Sequence, residues 1–155
     1  MKRLSAVLFV ALALRLLFFA GLRGSDDLRY AQLALAPGSS VTPQALAHAD
    51  FAALRPGFTS AVSGSLDPGE ASEVALMAYP MFCSLGLTAL VYEAARRWLG
   101  IGPALASGLL VAAIPGFVTG ASSLYPDLPM VFWSTLALFL LWSASGRLVC
   151  LAAGL

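Results

Sequence analysis

The chain alternates between long apolar stretches and shorter segments that hold most of its polar residues. Four stretches approach the roughly 20 apolar residues that cross about 30 Å of hydrocarbon, namely residues 4–22, 74–92, 101–121 and 124–142. Each stretch predicts a transmembrane helix, so the pattern indicates an all-α protein with several membrane spans. Prolines inside these stretches are tolerated in membrane helices, and we expect kinks near Pro80 and Pro115.

The first loop, residues 23–73, is too long to be a plain connection between two helices. Residues 25–36 predict a short helix, because Ser25 or Asp26 can cap its N-terminus and a Pro-Gly pair follows its end. A second brief helix is expected over residues 43–54, and the rest of the loop is rich in turn residues.

The predicted loop helix has two distinct faces. Leu28, Ala31 and Leu35 share one face, while Asp26 and Tyr30 lie on another. This arrangement suits a helix that lies on the membrane surface with its acid toward water.

The end of the chain is apolar but short. Residues 148–155 follow Arg147 and are all apolar or glycine, yet eight residues cannot span a bilayer. We interpret them as the start of a fifth helix. Residues 1–155 would then be the N-terminal part of one larger transmembrane domain, or a truncated gene product.

Composition supports the membrane interpretation and excludes one class of partner. Hydrophobic residues make up 59% of the chain and charged residues only 11%, against roughly 25% charged in an average soluble domain. The net charge is +1 and no basic run exceeds two residues, so nucleic acid is not an expected partner. Cys83 and Cys150 lie in apolar runs, which indicates buried structural thiols, and zinc-ligand spacing is absent.

Basic residues near the helix ends predict the orientation. A cytoplasmic N-terminus places five of them inside and three outside: Lys2, Arg3, Arg96, Arg97 and Arg147 against Arg23, Arg29 and Arg55. The first loop is then extracytoplasmic, and a bacterial plasma membrane fits best, with an endoplasmic reticulum as the alternative. A signal peptide is the other interpretation of residues 4–22, but the apolar run exceeds the usual length of a signal core and lacks a clean cleavage site.

Three acids are expected at the outer face. Asp26 and Asp27 open the first loop, and Asp127, between Pro126 and Pro129, lies at the turn from the third to the fourth predicted helix. Asp26 and Asp27 could equally be solvated residues at a helix N-terminus. Arg15, the one charge inside the first span, indicates either a buried role that pairs an acid or a lipid phosphate, or a side chain that snorkels to the interface.

Two motifs carry a resemblance to a known family. Ser25-Asp26-Asp27-Leu28-Arg29-Tyr30-Ala31, directly after the first helix, resembles the acidic motif of membrane glycosyltransferases that use polyprenyl-phosphate sugars. The segment from Ser122 to Met130, with Pro126-Asp127-Leu128-Pro129, is similar to a later turn of the same family. This superfamily of GT-C fold includes protein O-mannosyltransferases and aminoarabinose transferases.

The resemblance implies a hexosyl or pentosyl transferase. The donor would be a sugar on a polyprenyl phosphate, and the acceptor a hydroxyl of a lipid, glycan or protein at the extracytoplasmic face. Asp26 would be the catalytic base, with Asp27 and Asp127 as further catalytic candidates; Asp27 stands where the family often has Glu, so its role is less defined. No cofactor is implied, although a divalent cation held by carboxylates stays open.

Other residues are candidates for binding the donor phosphate or the acceptor. Cations must neutralise the leaving phosphate, and the candidates are Arg15, Arg29 and Arg55, together with Tyr30 and His48. A solvated loop histidine is the competing interpretation of His48. We expect the fragment alone to have little activity.

A non-catalytic membrane protein is the rival hypothesis. A transporter piece or assembly subunit could use the acidic outer loop to bind a cation or a partner protein.

Overall fold

A computed structural model of the chain describes residues 2–22, 24–35, 56–64 and 73–152. Within these ranges the regular structure is helical and contains no β-strand, which confirms the predicted all-α class. The helices are α1 Lys2–Leu17, α2 Ser25–Leu35, α3 Pro56–Ser63, α4 Glu73–Trp98, α5 Ile101–Ala113, α6 Pro115–Gly120 and α7 Asp127–Ala152. The predicted brief helix at 43–54 lies outside the described residues.

Two helices of the described chain are long and apolar enough to cross a membrane. They are α4 and the Asp127–Ala144 part of α7. Helix α1 has 16 residues and is about 24 Å long at 1.5 Å per residue, which is shorter than the hydrocarbon core. Four spans therefore remain a prediction.

The third predicted span is wrong as a single helix. Helix α5 ends at Ala113 and α6 starts at Pro115, because Ile114 adopts an extended ψ of 118°. The residue before a proline is driven out of the helical region by the proline ring. The expected kink near Pro115 is thus a complete break, whereas α4 continues through Pro80.

The predicted fifth helix is also wrong within the described residues. Helix α7 runs without interruption from Asp127 to Ala152, so residues 148–152 continue the preceding helix. The chain between Trp142 and Leu148 contains small residues, one glycine and Arg147, but no proline that would end a helix.

Helix α2 packs against α3 and the start of α4 through a face that the sequence pattern did not identify. Tyr30, Ala31 and Ala34 are buried in an apolar cluster, and Tyr30 contacts Phe58 of α3 edge to face at 5.2 Å between ring centroids. Leu28 and Leu35 are about half exposed. Ala31, the third residue of the predicted lipid-facing side, is therefore covered by the protein, and Tyr30 points into the protein and not into water.

Arg15 joins three helices inside the apolar body of the protein. Its side chain is fully buried, and its Nε donates to Ser84 Oγ of α4 at 2.7 Å. One terminal nitrogen donates to the carbonyls of Ala11 and Ala112, and the other donates to Ser84 O and Thr88 Oγ1. All five guanidinium N–H groups thereby meet an acceptor, and each acceptor among the described residues is a neutral oxygen.

The Arg15 network extends to α6. Ser84 Oγ accepts from Arg15 and donates to Phe117 O at 3.1 Å, so one hydroxyl links the guanidinium to the helix after the Pro115 break. A buried charge is costly unless every polar group is satisfied. The network therefore fixes α1, α4, α5 and α6 relative to one another.

Close helix packing depends on two glycines. A Cβ added at Gly86 of α4 would lie 2.6 Å from Phe132 of α7, and one at Gly108 of α5 would lie 3.0 Å from Val7 of α1. Small residues allow helix backbones to approach in membrane proteins, where packing replaces the hydrophobic effect between helices.

We predict that Arg15→Ala lowers the stability of the full-length protein by about 2–4 kcal/mol, through the lost hydrogen bonds and the cavity left behind. Arg3→Ala, an exposed position on the same helix, is the matched control and should change little. Thermal unfolding in detergent measures both. Equal effects of the two variants would contradict a structural role for Arg15.

A second prediction concerns the contact between α4 and α7. Gly86→Ala should destabilise the protein by about 1 kcal/mol, because overpacking exceeds the gain in helix propensity. Gly102→Ala meets open space and should be neutral or slightly stabilising. A melting temperature for Gly86→Ala at or above that of Gly102→Ala would refute the close approach of Gly86 to Phe132.

Candidate functional site

The turn at residues 121–126 connects α6 to α7 and forms the centre of the candidate site. Ser122 Oγ donates to Thr119 O at 3.1 Å, and Ser123 Oγ donates to Gly120 O at 3.3 Å. Both hydroxyls donate to carbonyls in the last turn of α6. Pro126 then fixes the backbone before Asp127, where α7 begins.

Asp27 ties α2 to this turn. Its side chain is 1% exposed, and Oδ1 accepts a hydrogen bond from the Leu124 backbone N–H at 2.8 Å. Asp27 also lies in the first turn of α2, where the helix dipole favours a negative charge. Through this hydrogen bond Asp27 joins two segments that are 97 positions apart in the sequence.

A cleft of about 710 Å³ opens beside the turn. Its walls come from the end of α1 and the following residues, the start of α2, α6, the turn and the start of α7. The lining residues are Leu17, Phe18, Phe19, Ala20, Gly21, Asp27, Gly116, Phe117, Thr119, Gly120, Ser122, Ser123, Tyr125, Asp127 and Leu128. Two carboxylates from distant parts of the sequence, Asp27 and Asp127, thus line one cavity of the size usual for ligand sites.

The pKa of Tyr125 is affected by the acids of this cleft. Burial raises the pKa of the Tyr125 hydroxyl above its usual range, and the carboxylates of Asp27 and Asp26 raise it further. Negative charges disfavour formation of a phenolate nearby. The Tyr125 hydroxyl therefore stays protonated at neutral pH and is a hydrogen-bond donor at the cleft wall.

Asp26 and Asp127 differ from Asp27 in exposure. Both are exposed, and no described residue donates a hydrogen bond to the Asp127 carboxylate. Asp127 lines the cleft, whereas Asp26 lies on the outer side of α2 and is not part of the lining. The structure thus brings Asp27 and Asp127 together, and places Asp26 near enough to influence Tyr125 electrostatically.

Asp127 also borders a second cavity of about 490 Å³, which is rich in aromatic side chains. Phe58, Tyr79 and Trp133 line it, and the Trp133 indole N–H donates to the Tyr79 hydroxyl at 2.9 Å. Sequence reasoning did not identify this cavity, because all three aromatic residues resemble core or lipid-facing positions. Only the packing of both α3 and α7 against α4 brings them together.

Arg15 does not reach the cleft. All five of its N–H groups are already donated to neutral oxygens of the protein, so none is left for a phosphate. The hypothesis that Arg15 binds the donor phosphate is therefore not supported by its surroundings, and we assign the side chain to the helix core. It neither pairs an acid of the described chain nor snorkels to the interface.

The remaining predicted binding residues are distributed as follows. Tyr30 belongs to the apolar cluster between α2 and α3 and is absent from the cleft lining. Arg29 is exposed on α2. His48 and Arg55 lie outside the described residues, as do Asp50, Asp67 and Glu70. Among the described residues, no group of three His, Cys, Asp or Glu side chains is placed to hold a metal ion.

Comparison with known proteins gives one family. A model of the family described as dolichyl-phosphate-mannose-protein mannosyltransferase matches residues 61–147, more than half of the chain. The matched region contains Asp127, the turn and most of α7, but it begins after Asp26 and Asp27. No curated protein and no solved structure gives a significant match.

We predict that Asp27→Ala frees the turn from α2, at a cost of about 1–3 kcal/mol for the unsatisfied Leu124 N–H. Asp27→Asn keeps an acceptor oxygen and should lose less stability. Hydrogen exchange at the Leu124 amide should be faster in Asp27→Ala than in Asp27→Asn. Identical exchange in both variants would show that the hydrogen bond does not hold the turn.

Proposed function

The chain belongs to the dolichyl-phosphate-mannose-protein mannosyltransferase family of integral membrane glycosyltransferases, and from that premise we propose its reaction. The donor is a sugar on a polyprenyl phosphate, and the acceptor is a hydroxyl of a lipid, glycan or protein. Transfer occurs at the extracytoplasmic face of a plasma membrane, with the N-terminus in the cytoplasm. This orientation puts the cleft at the outer end of α1.

One observation supports the proposal most. Asp27 and Asp127 line a single cleft although 100 positions separate them, and Tyr125 adds a hydroxyl donor to the same wall. A loop that only solvates the protein surface has no need to bring acids of distant segments into one cavity. Acids beside a cavity at the end of membrane helices suit a reaction in which an acceptor hydroxyl loses its proton.

The proposed reaction requires a general base. The acceptor oxygen attacks the anomeric carbon, the bond between that carbon and the phosphate oxygen breaks, and polyprenyl phosphate leaves. A general base must lie within hydrogen-bond reach of the acceptor hydroxyl to take its proton. By resemblance this base is Asp26, exposed in the first turn of α2.

Asp127 and Asp27 support the base in different ways. Asp127 faces the cleft and has no described hydrogen-bond donor, so it is available to bind a hydroxyl of the sugar or the acceptor. Asp27 is occupied by the Leu124 N–H and is a positioning residue, because it fixes α2 and therefore Asp26 beside the turn.

Cations outside the core would neutralise the leaving phosphate. Arg29 is exposed near the start of α2, close in sequence to Asp26. Arg55 and His48 are the other proposed phosphate-binding residues, on the basis of their positions in the first loop of the sequence. Arg15 is not included, because its N–H groups are already used within the helix core.

We predict that Asp26→Asn in the full-length protein lowers sugar transfer at least about 100-fold, the loss expected when a general base is removed. Asp127→Asn should raise KM more than it lowers kcat. Transfer of labelled sugar from a polyprenyl-phosphate donor in proteoliposomes measures both constants.

Gln32→Ala, at an exposed position of the same helix, is the matched control and should retain transfer. Each variant must insert and unfold like the wild type for the comparison to count. Normal turnover of Asp26→Asn would reject Asp26 as the base, and a 100-fold loss in Asp127→Asn alone would transfer that role to Asp127. Absence of transfer in the wild type with every polyprenyl-phosphate sugar tested would favour the non-catalytic rival.

A further inference from the structure

A groove runs between α4 and α7 at the end opposite the acidic cleft. It has a volume of about 510 Å³ and is lined by Leu90, Val91, Ala94, Ala95, Trp98, Leu99, Thr135, Leu138, Phe139 and Trp142. From Leu90 to Leu99 the groove follows α4 for about 14 Å, at 1.5 Å per residue. Its position on the outer surface of the two longest helices makes it accessible from the membrane.

The lining presents an apolar surface. Thr135 is the lining residue with a hydroxyl, and its Oγ1 donates to Val131 O at 2.7 Å within α7. The hydroxyl is therefore satisfied by its own helix, as is usual for threonine in apolar helices. A groove of this kind suits a hydrocarbon chain and does not suit a sugar or a peptide backbone.

The mouth of the groove carries a net positive charge. Arg96 and Arg97 both pair with Glu93, at 2.7 and 3.0 Å, so two cations share one acid. The Arg97 guanidinium also lies 5.0 Å from the centroid of Phe139, which lines the groove. This cation–π contact holds the second guanidinium over the groove, with N–H groups that Glu93 does not use.

Two tryptophans flank the mouth. Trp98 and Trp142 contact each other with ring centroids 5.8 Å apart, and they are 56% and 68% exposed. Exposed tryptophans beside arginines at the end of a membrane helix are typical of the headgroup region. The apolar groove thus corresponds to the acyl chain of a lipid, the tryptophan pair to its interfacial region, and the excess cation to its phosphate.

We propose that this groove binds an anionic phospholipid, with one acyl chain between α4 and α7 and the phosphate at Arg97, the guanidinium that lies over Phe139. The inference is independent of the proposed transferase reaction, because it uses none of the residues of the acidic cleft. Basic pockets between membrane helices are a recurring way to bind anionic lipids. A further apolar helix is the competing occupant, but it offers no partner for the excess positive charge.

Quenching of tryptophan fluorescence by brominated lipid tests the proposal. The full-length protein is reconstituted in vesicles of phosphatidylcholine and phosphatidylglycerol in which one or the other lipid carries the bromine. Subtracting the signal of a Trp98→Phe/Trp142→Phe variant isolates the two tryptophans of the groove. Brominated phosphatidylglycerol should quench this signal about fivefold more, per mole, than brominated phosphatidylcholine, the preference expected for one net basic charge.

Three variants separate the parts of the site. Arg97→Gln should remove the preference for phosphatidylglycerol, whereas Arg3→Gln, an equal loss of charge at an exposed position of α1, should keep it. Ala94→Leu fills the groove and should reduce quenching by phosphatidylglycerol with the arginines intact.

Three results would overturn the proposal. Equal quenching by both lipids in the wild type would show no selective binding. Equal loss of preference in Arg97→Gln and Arg3→Gln would show a diffuse effect of surface charge. Protection of Trp98 and Trp142 from both lipids would show that another segment of the full-length protein covers the groove.

Discussion

The buried guanidinium of Arg15 is the constraint on which the helix arrangement depends. A permanent charge in an apolar interior is tolerated only where every N–H group has an acceptor. Here the acceptors come from α1, α4 and α5, and Ser84 extends the network to Phe117 of α6. Neutral oxygens complete the set, so the protein solvates the charge much as water would and needs no buried acid.

The acidic cleft is built on that network. One wall starts at Leu17, the last residue of α1 and two residues beyond Arg15. The opposite wall contains Phe117, whose carbonyl accepts a hydrogen bond from Ser84. Fixing Arg15 and Ser84 therefore fixes the separation of the two walls. Asp27 connects α2 to the turn through the Leu124 N–H and so adds a further wall of the cleft. Neither Asp27 nor Asp127 contacts Arg15.

The apolar runs of the sequence predicted the positions of the two long helices, because hydrophobic length is a local property. Pro115 was expected to kink one helix, whereas it separates two, because the proline ring drives Ile114 out of the helical region. Hydrogen-bond partners that are distant in the sequence could not be predicted from such local patterns. Ser84 and Thr88 lie in an apolar run and become meaningful only when Arg15, about 70 positions earlier, packs against them. The pattern of α2 distinguished an apolar face from a polar face, but it did not indicate which face packs against the protein. Tyr30 was therefore assigned to the face toward water. Asp127 was placed at the correct turn, whereas its companion in the cleft lining, Asp27, was ranked below Asp26.

The order in which the chain is synthesised gives the Arg15 network a further consequence. Ala112, one of its acceptors, is 97 positions downstream, and the bond from Leu124 to Asp27 spans the same separation. At about 5–20 residues per second, a ribosome needs roughly 5–20 s to make that stretch. Until α4 and α5 are made, the Ala11 carbonyl of α1 is the one acceptor of the final network that exists, so the guanidinium must be solvated at the insertion site or near the headgroups. Arg15 can therefore complete its hydrogen bonds only after α4 and α5 have been inserted.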